Sequence, residues 1–95
     1  MKNILCIVNP VSGLKKSLKV YYELENTIKE HSFNPELLIT KYAGHARKVI
    51  SELQSDQFDR ILIFGGDGTV NEIVNGLYQS DLCSFFPIGI IPTGS

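Results

Sequence analysis

The chain has 95 residues, 43% hydrophobic and 20% charged, with nine Lys/Arg against ten Asp/Glu and a formal net charge of −1. That length favours one small domain, burying about 60% of its unfolded surface around a thin core. The ordinary apolar share excludes a disordered chain, and the balanced charge argues against non-specific binding to nucleic acid or a membrane surface, which needs a basic excess.

Asn3 to Val8 is a continuous apolar run ending at Asn9-Pro10, as expected of a strand buried on both faces. After the turn Val11-Ser12-Gly13, apolar residues recur at Leu14, Leu18, Tyr21, Leu24 and Ile28 with helical spacing. Glu36 to Thr40, carrying Leu37-Leu38-Ile39, predicts a second strand. Ala46, Val49, Ile50 and Leu53 follow the i, i+3, i+4, i+7 pattern of a second helix, which ends in the polar stretch Gln54 to Gln57. Ile61 to Phe64 predicts a third strand, stopped by Gly65-Gly66. Val70, Ile73, Val74 and Leu77 repeat the helical pattern, and Ile88-Gly89-Ile90-Ile91 reads as a fourth strand before Pro92-Thr93-Gly94-Ser95.

Strands alternating with helices build an α/β fold, a parallel sheet with crossover helices. Such sheets bind ligands in a crevice at the carboxyl ends of their strands. Small and polar residues gather at those ends: Asn9-Pro10-Val11-Ser12-Gly13, Thr40, Gly65 to Thr69, and Pro92 to Ser95. There is no internal repeat, low-complexity tract or linker. Cys6 and Cys83 lack C-x-x-C spacing, so neither a zinc site nor a disulfide framework is expected. Cys6, inside its apolar run, reads as a small buried hydrophobe. Both suit a reducing cytosol. The apolar run before Asn9 is too short for a signal-peptide core, and nothing approaches the ~18 apolar residues of a membrane span.

Gly65-Gly66-Asp67-Gly68-Thr69 carries the most chemistry. A glycine-rich turn between a buried strand and a helix lets backbone N–H groups approach a phosphate, and the helix start adds unpaired donors and a favourable dipole. It is not the Rossmann fingerprint, which needs Gly or Ala where Asn71 stands, and the chain holds no P-loop pattern. Asp67 is out of place beside phosphate unless it holds a metal ion or accepts a proton. Thr69-Val70-Asn71-Glu72 also fits a capping box, with Thr69 as N-cap and Glu72 reaching back to it, so Glu72 stands between capping and ligand contact. The turn Asn9 to Gly13 is by itself a plain loop, and Lys15, Lys16 and Lys19 read chiefly as a solvated face. His31 is expected to be exposed; His45 opens the second helix without an assigned role.

Taken together, Asn9-Pro10-Val11-Ser12-Gly13, the run from Gly65 to Leu77 and Ile88 to Ser95 resemble the successive motifs of the diacylglycerol kinase catalytic domain, and Thr40 with Gly44-His45-Ala46 matches a further family position. The resemblance spans essentially the whole chain. It implies a nucleotide-binding fold related to those of NAD kinase and phosphofructokinase, and a kinase that uses ATP and Mg2+ to phosphorylate a lipid hydroxyl such as that of diacylglycerol. By the same resemblance, Asn9, Pro10, Val11, Ser12, Gly13, Thr40, Gly66, Asp67, Gly68, Thr69, Val70, Asn71, Glu72 and Ser95 line the nucleotide site. Asp67 matches the aspartate that takes the proton of the lipid hydroxyl in the sphingosine kinase branch, whereas in bacterial relatives an acidic residue of a second domain is often assigned the catalytic role; the metal ligands stay unassigned.

Family members continue past the position of Ser95 with Gly-Asn-Asp and a β-rich second domain. The chain is therefore expected to be the N-terminal nucleotide-binding part, with the lipid pocket outside it and no turnover of its own. Cytoplasmic localisation is implied; peripheral membrane association of the longer protein and homo-oligomerisation stay open. Two other readings remain at this point: a kinase of a soluble substrate such as NAD, and a nucleotide-binding remnant without chemistry.

Overall fold

The computed structural model describes residues 2–9, 16–54, 56–80 and 86–93. Four strands and three helices alternate: β1 (Lys2–Val8), α1 (Lys16–Glu30), β2 (Phe33–Ile39), α2 (His45–Ser51), β3 (Arg60–Gly65), α3 (Asp67–Gln79) and β4 (Ile88–Pro92). All strand pairs are parallel, in the order β2-β1-β3-β4. This is the expected α/β architecture, with two boundaries corrected. α2 ends at Ser51, so Leu53 lies beyond the helix. β2 begins at Phe33 rather than near Glu36, and it accommodates Pro35. A proline that cannot donate is tolerated there because β2 pairs only with β1, at the edge of the sheet.

The helices divide between the two faces, giving three layers. Ile4, Cys6 and Val8 of β1 and Phe64 of β3 pack with Tyr21 of α1. Leu5 and Ile7 of β1 and Ile61 and Ile63 of β3 pack with Ala46 and Ile50 of α2 and with Ile73 and Leu77 of α3. Successive strand side chains point to opposite faces, so an apolar run without alternation is what burial on both sides demands. Each such Ile or Leu contributes about 1.5–3 kcal/mol through burial, which makes β1 and β3 the rigid centre from which the carboxyl-end loops project. Cys6 is fully buried, as expected. Desolvation, and then the nearby Glu25 carboxylate, push its thiol up to about 12.

One polar contact closes the edge of the sheet. Ser17 in the first turn of α1 and Thr93 just after β4 share a 2.6 Å hydroxyl hydrogen bond, with both residues buried. It ties the helix after the first strand to the end of the last.

Candidate functional site

At the carboxyl edge, the strand ends hold one another in register. The Thr40 N–H and Oγ1 both donate to the Val8 carbonyl, at 2.9 and 3.3 Å, and the Asn9 N–H reaches the Phe64 carbonyl at 3.4 Å. The Asn9 amide Nδ2 donates to Thr69 Oγ1 at 3.2 Å, joining the end of β1 to the first turn of α3. Thr69 is 3% exposed, so its end of this half-buried bond is shielded from water. A Cβ on Gly65 would stand 3.0 Å from Thr69 Oγ1. Glycine is therefore needed there for the helix to turn back so closely over the strand.

Gly68 is different. A Cβ there would meet nothing within 4 Å, so the fold's own packing does not require a glycine. Its backbone lies in the first turn of α3, where N–H groups have no intrahelical acceptor, at a cost of about 1 kcal/mol in helix propensity relative to Ala. Gly68 also lines the cleft, so the first turn of the helix leaves room for an anion to approach.

The cleft before this turn has a volume of about 400 Å³. Of the residues singled out in the sequence, Asn9, Thr40, Gly66, Asp67, Gly68, Thr69 and Glu72 line it. Pro10, Val11, Ser12, Gly13 and Ser95 lie outside the described residues. Val70 packs against the core under α2 and α3, and Asn71 is exposed on α3, away from the cleft lining.

The capping-box expectation is corrected. The N-cap of α3 is Gly66, in extended conformation, so Thr69 sits inside the helix with its hydroxyl committed to Asn9. Glu72 does not reach back to Thr69; its Oε1 accepts the N–H of Gly44 at 2.5 Å. Gly44 has φ +88°, a left-handed conformation that glycine adopts without strain. The acid thus fastens α3 to the loop between β2 and α2.

That loop supplies the lining that the sequence did not reveal: Lys41, Tyr42 and Ala43. His45, left without a role, organises it. Its Nδ1 accepts the Lys41 N–H at 2.9 Å, and its ring stacks on Tyr42 with centroids 4.7 Å apart and planes 16° from parallel. His31 is exposed as expected, bonded through Nδ1 to the Thr27 carbonyl. Among the described residues, no three His, Cys, Asp or Glu side chains converge as a metal site, and no helix is long and apolar enough to cross a membrane.

Comparison with known proteins gives a consistent result. A candidate lipid kinase of Streptococcus pneumoniae is 41% identical over 96 residues, covering 100% of this chain and 32% of that protein. Sphingoid long-chain bases kinase 1 of Arabidopsis thaliana is 38% identical over 97 residues, covering 97% of this chain and 13% of its own length. A solved structure of a candidate diacylglycerol kinase from Bacillus anthracis superposes with a TM-score of 0.77 at 34% identity, covering 98% of this chain and 33% of that one. The chain thus spans a third or less of the length of these relatives. The family model of the diacylglycerol kinase catalytic domain matches residues 3–95, and the chain belongs to that family.

Proposed function

We propose that the chain is the ATP-binding part of a lipid kinase, transferring the γ-phosphoryl group of ATP to a lipid hydroxyl. The observation that supports this reading is the open first turn of α3, where Gly66, Asp67 and Gly68 line the cleft. The first-turn N–H groups of α3 take phosphate oxygens, and the positive end of the helix favours their charge. The acceptor oxygen attacks phosphorus, the bond from the γ-phosphorus to the bridging oxygen breaks, and ADP leaves with that electron pair. Asp67 takes the proton of the acceptor hydroxyl.

Mg2+ fits this donor set: it binds through one or two carboxylates together with substrate phosphates, rather than in an all-protein cage. With Asp67 assigned to the proton, the substrate phosphates would be the principal ligands of the ion, which would offset their charge. Glu72 is already engaged by Gly44. Holding an acceptor in line can supply about 7–11 kcal/mol of the barrier; on this reading a further domain of the longer protein holds the lipid.

The test is transfer of labelled phosphate from ATP by the full-length gene product, offered diacylglycerol, sphingosine and NAD with Mg2+. Label in the lipid fraction, reduced about 10²–10⁴-fold by Asp67→Asn, is the expected result. Label on NAD alone, or undiminished lipid labelling by a folded Asp67→Asn protein, would overturn the reading.

A further inference from the structure

Tyr42 is 55% exposed, yet its ring is stacked on that of His45. The His45 ring covers one of its faces, and Tyr42 is among the residues that line the cleft. His45 is itself fixed by the Lys41 N–H, and the loop that carries both rings is fastened to α3 where the Glu72 carboxylate receives the Gly44 N–H. Solvent alone gives no reason to order an exposed aromatic ring so firmly.

The ring also stands at a telling place. One wall of the cleft is the start of α3, with bare backbone at Gly68; the other is the loop after β2, with Tyr42. A ligand carrying phosphates on the first wall presents whatever it has at its other end to the second. For a nucleotide that end is a flat aromatic base, and flat bases stack on aromatic rings.

Resting on the nucleotide reading above, we propose that Tyr42, backed by His45, is the stacking shelf for the nucleobase, and that Glu72 positions the shelf through Gly44. Stacking engages a π-face that every base has, so the shelf adds affinity without distinguishing adenine from guanine. Any preference between them has to come from hydrogen bonds elsewhere.

The experiment compares calorimetric binding of ATP, GTP and tripolyphosphate, which has no base, to the full-length gene product. Tyr42→Ala is expected to weaken ATP and GTP alike by about tenfold while leaving tripolyphosphate where it was. Tyr42→Phe, which keeps the ring, restores the affinity. If Tyr42→Ala leaves ATP binding unchanged, or weakens tripolyphosphate as much as ATP, the shelf is refuted and the nucleotide reading stands. If the unaltered protein binds none of the three ligands, the nucleotide reading falls and the shelf with it.

Discussion

Removing one hydroxyl from the Ser17–Thr93 pair should cost more than the bond itself is worth. The two oxygens are 2.6 Å apart, with Ser17 0% and Thr93 3% exposed, so water cannot replace a lost partner. A typical hydrogen bond contributes about 0.5–1.5 kcal/mol net, whereas orphaning a buried polar group costs about 1–3 kcal/mol. Ser17→Ala is helped slightly by better helix propensity, by about 0.5 kcal/mol, so about 1–2 kcal/mol of destabilisation is expected. Thr93→Val, which keeps the shape, should cost a similar amount. The double variant leaves no orphan, so its loss should fall short of the sum of the singles by about 1 kcal/mol or more. Urea unfolding followed by circular dichroism measures this directly, and in a domain of this size each kcal/mol moves Tm by about 4–8 °C. Single losses that simply add in the double variant would show that the two hydroxyls act independently, and that the link between α1 and the end of β4 is not energetic.

Gly65→Ala drives a methyl group against Thr69, a residue too buried to move away. It should destabilise by about 1–3 kcal/mol and disturb the bond from Asn9; the same change in a Thr69→Ala background should cost less, as paired melts will show. Stability should also depend on alkaline pH. Burial raises the Cys6 thiol from 9.0 to about 12, and burial followed by the bond to Glu25 raises the Tyr21 hydroxyl above its usual 10.0. Groups raised in the folded state stabilise it fully below their unfolded values, so stability should be level up to about pH 8 and decline from about pH 9 towards 12. Urea midpoints across that range test this, and Cys6→Ala should flatten the decline.

Much of this fold is legible because its strands are buried on both faces. Ile4 to Val8 and Ile61 to Phe64 could be read as strands from apolar continuity alone, and the helices from the spacing of residues such as Ala46 and Ile50. The start of β2 was hidden by Asn34-Pro35, a pair that reads as a turn but is tolerated on an edge strand. At the site, the glycines and Asp67 stood out as a local pattern. Thr69 and Glu72 misled for the opposite reason: the capping box is also a local pattern, and tertiary partners took both side chains, Asn9 the hydroxyl and Gly44 the carboxylate. Tyr42 had no local signal at all. Its place on the cleft is accompanied by the stacking and hydrogen bond of His45, contacts that no spacing in the loop after Thr40 announces.

The central claim is that the carboxyl edge of the sheet, at the first turn of α3, receives the phosphates of a nucleotide. Titration with ATP, followed through the backbone amide signals of the labelled protein, tests this most directly. The account predicts that Gly66, Asp67, Gly68 and Thr69 move most, that Gly44 follows through Glu72, and that AMP produces a much smaller response at Gly68. Largest shifts at the opposite edge, around Asn3, Glu36 and Phe58, or equal responses to ATP and AMP at Gly68, would contradict it.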